Sequence, residues 1–187
     1  MISAIARALP VVAVLAGAVS GDGLAGGGAP AGALQPHWTE VSWPFPIDKW
    51  GTGRAFHCGP EACGVGVDLY LRPKLGFCNC ARGVYNDSEL DRVGDLALLG
   101  SDYAGIGAGR EVQVGWMTGR SRVFTVTAPH LPPIAATAIA FNDRCDVVVA
   151  TVTAGADPSH GTRPALDFLN SDLVLRWARS ELGADGS

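Results

Sequence analysis

Between Val65 and Thr153 the chain alternates apolar and polar residues in short runs separated by glycine, proline or asparagine, and a two-residue period dictates strands. In Val65–Arg72, Val65, Val67, Leu69 and Leu71 fall on one face and Asp68, Tyr70 and Arg72 on the other. Pro73-Lys74 reads as a turn, with Leu75–Cys80 returning as a short antiparallel partner, and Arg54–Cys58 precedes them as a further strand. Glu111–Met117 and Arg120–Thr127 form a hairpin turning at Thr118-Gly119. After the stiff Pro132-Pro133, Ala135–Phe141 and Arg144–Thr153 form a second one, turning at Asn142-Asp143. Val147–Val152 is apolar on both faces, the pattern of a central strand covered on both sides.

Two segments carry the helical period instead. Leu90, Val93 and Ala97 predict a helix over Ser88–Leu99, with Ser88 as its cap and Glu89 and Asp91 near the positive end of the dipole. From Thr162, the stripe Leu166, Leu169, Leu173 and Trp177 predicts one helix, or two broken near Asn170, before Gly183. Tyr103–Gly109 reads as a glycine-rich loop. His37–Trp50, with three tryptophans and two prolines, reads as an irregular segment wrapping aromatic surface over a core edge. The fold class is therefore α+β: an antiparallel sheet of hairpins with a middle helix and a C-terminal helix, containing disulfides.

Met1–Ser20 has Arg7 as its single charge and an uncharged apolar run from Ala8 to Val19. That run is shorter than the roughly 20 residues a membrane span requires, and suits the h-region of a signal peptide. Ala18-Val19-Ser20 and Ala16-Gly17-Ala18 are competing cleavage sites. Gly21–Pro36 is rich in Gly and Ala, has no period, and is expected to be a disordered leader. His37–Gly183 then forms a single domain, with no membrane span in the mature form and a periplasmic or secreted location.

A net charge of −4, with 14 Lys and Arg against 18 Asp and Glu and no basic run, excludes the concentrated positive face that nucleic acid demands. Gly105-Ile106-Gly107-Ala108-Gly109 is followed by a strand, whereas a phosphate loop needs a helix there. Neither a Gly-x-Ser-x-Gly elbow nor a His-Glu-x-x-His pair occurs, so the usual hydrolase signals are missing, no catalytic residue is assigned and no cofactor is expected.

Any chemistry starts from Cys58, Cys63, Cys78, Cys80 and Cys145. In an oxidising compartment four can pair and one is left, and sequence alone does not select the connectivity. The turn in Cys58-Gly-Pro-Glu-Ala-Cys63 makes a local bridge easy. Cys78 and Cys80 point the same way on a strand, so either can meet Cys145, whereas bridging each other brings strain. The alternative is a soft-metal site for copper(I) or zinc using His57, Cys63, Cys78 and Cys80, although the second ligand knuckle typical of zinc is missing. Arg120 and Arg122 share a strand face with Phe124 and Val126. They either cap the core beside Trp116 or offer two guanidinium forks to an anion.

The run from GRAFHC through GFCNC, then VGWMTGRSR, AFNDRCDVVVATV and FLNSDLVLRWA, is similar to a family of small exported α-proteobacterial proteins. The resemblance spans about Trp43 to Leu182. It implies an exported single domain and carries no activity, fold or site residues. The expectation is an exported cell-envelope protein acting as a non-catalytic binding or accessory module for a small molecule or an envelope protein. A periplasmic thiol-redox or copper(I)-handling protein built on the Cys-x-Cys region is the alternative, and a hydrolytic enzyme a third.

Overall fold

The apolar valines of the central strand set the architecture, because a strand hydrophobic on both faces must be sandwiched between layers. In the computed structural model, which describes residues 36–76, 79–155 and 157–183, seven strands form one antiparallel sheet. They are β1 (Trp38–Val41), β2 (Arg54–Cys58), β3 (Val67–Lys74), β4 (Asp102–Val114), β5 (Met117–Thr127), β6 (Ile134–Asp143) and β7 (Asp146–Ala154), in the order β1-β2-β3-β7-β6-β5-β4. The α+β hairpin sheet is as the alternation requires, and β7 occupies its centre. The described residues all lie within one compact unit. The expected signal peptide lies outside them, as does the leader apart from Pro36.

Each sheet face has its own core. On one side Phe56, Cys58, Leu69, Leu71, Ile139, Phe141, Val148, Ala150 and Val152 pack against α3 (Ser159–Leu169) and α4 (Asp172–Glu181), which contribute Ala165, Leu169, Val174 and Ala178. On the other, Phe124, Val126, Ala136, Ala138, Ala140, Val147 and Val149 are covered by Leu90 and Val93 of α2 (Asp87–Val93) and by Leu96 in a following 3₁₀ turn. Gly161 lets α3 settle on β7: a Cβ there would lie 2.3 Å from the Ala154 Cβ. Trp38 of β1 stacks on Phe168 at 4.8 Å between ring centroids, while Trp43, Phe45 and Tyr70 cluster edge to face over β3.

Several expected boundaries move. Pro73 and Lys74 continue β3 rather than turning, because β2 begins opposite Leu71 and, among the described residues, no strand on that side of β3 meets a proline's missing N–H. No strand follows at 75–80 among the described residues, since β3 pairs instead with β7. The middle helix is shorter than expected: Asn86, not Ser88, caps it by accepting from the Glu89 N–H at 2.8 Å, and Gly94 closes it. Tyr103–Gly109 belongs to β4 and not to a loop, with an irregular register between Ile106 and Arg110. The hairpin turns fall at Gly115-Trp116 and Arg144-Cys145 instead of Thr118-Gly119 and Asn142-Asp143. The C-terminal helix does break at Asn170, but Leu173 is 44% exposed and Val174 takes the buried position.

Candidate functional site

The groove between strand β4 and helix α3 is built by what the helices leave uncovered. Helix α3 lies over β7, held by the Thr162 hydroxyl, which contacts Thr137 Oγ1 of β6 at 3.0 Å and donates to the Pro158 carbonyl at 2.9 Å. Strand β4, which among the described residues stands at the sheet edge beside β5, faces α3 across a cavity of about 530 Å3. That volume is within the range of small-ligand sites. Val112 and Leu166 give it an apolar lining, and Arg110, Glu111, Gln113, Ser159, Thr162, Arg163 and Asp167 a polar one, with two cationic and two acidic residues.

Among the described residues, neither Arg110 nor Arg163 has a hydrogen-bond or ion-pair partner. Both border one cavity, whereas Arg72, Arg120 and Arg122 are bonded to carboxylates. Arg110 shares the strand face of Val112 and Val114, which pack toward the helices, so its stem runs on the α3 side. Arg163 projects from α3, and Asp167, one turn later and also unpaired, borders the same cavity. Two planar forks with unused donors suit a carboxylate or similar planar anion.

Consecutive residues from both faces of β4, Arg110 through Gln113, line this cavity, so it looks onto the strand's backbone edge. The Gln113 carbonyl is turned outward, where Asn170 Nδ2 donates to it at 3.3 Å, and Asn170 Oδ1 accepts from the Gly115 N–H at 2.8 Å. By strand alternation the Glu111 amide and carbonyl face the same way.

A second cleft, of about 500 Å3, lies between the Asp48–Trp50 turn and the 3₁₀ turn, with Arg72, Lys74 and Asp95 in its wall. Its charges are closed on one another. Arg72 donates to both Asp95 oxygens at 2.8 and 2.9 Å and to Asp48 at 2.7 Å, and Lys74 reaches Asp95 at 2.6 Å and the Val93 carbonyl at 2.7 Å. Burial works against the Arg72 cation, yet Asp95 and Asp48 outweigh it and raise its pKa. Burial likewise pushes Lys74 below its ordinary value, against the pull of Asp95. This set fastens the Asp48–Gly51 turn to the sheet.

The residues singled out by sequence are dispersed. Cys58 is bonded to Cys63 and Cys80 to Cys145, which fixes the connectivity that the spacing left open. Cys78 lies outside the described residues. The alternative metal set of His57, Cys63, Cys78 and Cys80 is therefore not assembled: Cys63 and Cys80 are in separate disulfides, and His57 Nδ1 pairs with Asp68 across the strands at 2.7 Å. Arg120 and Arg122 do not sit beside Trp116, which lies under Arg179. Arg120 bonds Asp87 and the Gly109 carbonyl, and Arg122 bonds Asp91 at 3.1 Å and the Gly107 carbonyl at 2.9 Å, so their forks tie α2 to the irregular stretch of β4. Arg110 and Arg163 were not legible as a pair, because nothing local links residues from a strand and a distant helix.

No protein-family model matches the chain, and no curated protein sequence matches it. Among solved structures it is similar to CalU16 from Micromonospora echinospora, at 12% identity and a TM-score of 0.27, over 80% of this chain and 94% of that one. No helix among the described residues is long and apolar enough to cross a membrane.

Proposed function

We propose that the protein is an exported binding module of the cell envelope that holds a carboxylate-bearing ligand in the β4–α3 groove. The observation that carries this reading is the pair of guanidiniums, Arg110 and Arg163, on opposite walls of the groove and without a hydrogen-bond or ion-pair partner among the described residues. Other arginines whose forks meet acids here, Arg72, Arg120 and Arg122 among them, are committed to internal carboxylates. Two disulfides support an oxidising compartment, and Met1–Ser20 has the composition of an export signal.

Propionate, titrated into protein labelled with ¹⁵N, tests the site. The reading expects the Nε resonances of both Arg110 and Arg163 to shift, with a Kd on the order of millimolar. Shifts spread evenly over all arginines contradict it. Export is tested by fusing Met1–Gln35 to alkaline phosphatase, which folds actively only after translocation; an inactive fusion overturns that part.

A further inference from the structure

We infer that the ligand of this groove is the C-terminal end of an extended peptide, which adds a short strand to the outer edge of β4 and places its carboxylate between Arg110 and Arg163. The inference rests on the binding reading above and adds the ligand's class.

The strand edge supplies the first argument. Among the described residues no strand lies beyond β4, and beside the groove the groups turned outward are the Glu111 N–H and C=O and the Gln113 N–H, because the Gln113 carbonyl is the one Asn170 takes. Exposed edges of this kind pair readily with an extended chain, main chain to main chain.

The limits of that edge select the occupant. On one side of Arg110 the strand is irregular, and its polar groups are used internally: the Gly107 carbonyl by Arg122, the Gly109 carbonyl by Arg120, and the Gly109 N–H by Asp87. On the other side Asn170 closes the edge at Gln113 and Gly115. What remains open between these two limits is Glu111–Gln113, matched to the last few residues of a peptide; the edge of Asp102–Ile106 lies beyond the irregular stretch and outside the groove. Helix α3 stands across from this stretch and forms the second wall, with Leu166 and Val112 able to receive one apolar side chain.

Charge complementarity fixes the orientation. A chain terminus carries a carboxylate, and Arg110 lies at the end of the open edge nearest the irregular stretch, with Arg163 facing it from the helix. Asp167 lies one helical turn further along α3, placed to accept from a peptide N–H upstream of the terminus. An internal peptide segment has no such terminal anion, and a free carboxylate has no main chain to offer the edge.

The test uses the tetrapeptide acetyl-Ala-Val-Thr-Val with a free carboxylate, its C-terminal amide, and propionate, each titrated into the ¹⁵N-labelled full chain. The expected result is binding about tenfold or more tighter than propionate, from two or three main-chain hydrogen bonds, with shifts at the Glu111 and Gln113 amides. Amidation should remove most of that affinity. Glu111→Pro, which deletes an outward N–H and leaves the ladder to β5 intact, should abolish the gain over propionate while propionate still binds. If propionate binds at Arg110 and Arg163 but the free tetrapeptide binds no tighter, or leaves Glu111 and Gln113 unshifted, the peptide inference is overturned and the anion site stands. If neither probe binds, both fall.

Discussion

Arg72 and Asp95 meet through two parallel hydrogen bonds in a site where the arginine is 2% exposed and the aspartate 7%. Removing one member of a buried pair leaves the other charge without compensation, which costs far more than the pair itself contributes. Asp95→Ala removes the buried carboxylate that Arg72 and Lys74 share, leaving Arg72 its pair with the more exposed Asp48, and is expected to lower stability by about 3 kcal/mol. Urea unfolding measures this. Arg72→Met combined with Asp95→Leu should cost clearly less than the sum of the single changes, and simple additivity would contradict a coupled network.

The two disulfides close loops of very different length, with sequence separations of 5 for Cys58–Cys63 and 65 for Cys80–Cys145. Restriction of the unfolded chain grows with the logarithm of loop length. Replacing both cysteines by alanine should therefore cost about 2 kcal/mol for the short bridge and about 4 kcal/mol for the long one. Denaturant midpoints of the two double variants should fall in that order. Non-reducing peptide mapping should recover both pairs, and a Cys78–Cys145 peptide would contradict the connectivity.

Much of this architecture is written in the sequence, and the errors have physical reasons. Val147–Val152 could be placed at the sheet centre because no other position buries valine on both faces. The hairpins were legible, but their turns were not. Gly119 looks like a turn residue, yet it is a strand glycine, since a Cβ there would lie 2.0 Å from the Ala140 carbonyl oxygen. The true turn uses Gly115 at φ +57°, and the next hairpin turns on Arg144 at φ +52°, a residue type that gives no turn signal. Glycines 105, 107 and 109 suggest a loop because glycine weakens a strand. The ladder to β5, with Arg120 and Arg122 bracing the irregular stretch, overrides that local preference. Strand alternation puts Arg120 and Arg122 on one face, but α2 brings Asp87 and Asp91 onto it, and that contact has no sequence signature.

Asp87 gives the fold an acid-sensitive contact. The Arg120 guanidinium and the Gly109 N–H hold its carboxyl below the ordinary value of 3.8. With the folded pKa depressed, the unfolded chain binds the extra proton first as the pH falls. The stabilising contribution is thus complete at neutral pH and is lost from about 3.8 downward through the folded value. Asp87→Asn should flatten the acid limb of a stability-against-pH curve, and a limb as steep as wild type would contradict this assignment.

Helix α3 reaches β7 only because residue 161 has no side chain. Gly161→Ala should destabilise by about 1–3 kcal/mol, as overpacking does, since the new methyl collides with Ala154 and also approaches Val67 Cγ1 at 3.3 Å. Because α3 forms one wall of the groove, the variant should weaken propionate binding as well. Thermal unfolding indistinguishable from wild type would mean that the helix does not sit where described.

The central claim is that Arg110 and Arg163 are held unpaired for a ligand and not for the fold. The measurement that tests it most directly is propionate titration of the Arg110→Gln, Arg163→Gln double variant, made on protein whose urea midpoint has been matched to wild type. The account predicts stability unchanged within about 0.5 kcal/mol, as for exposed positions without partners, and no saturable binding. A double variant that binds propionate as wild type does would contradict it.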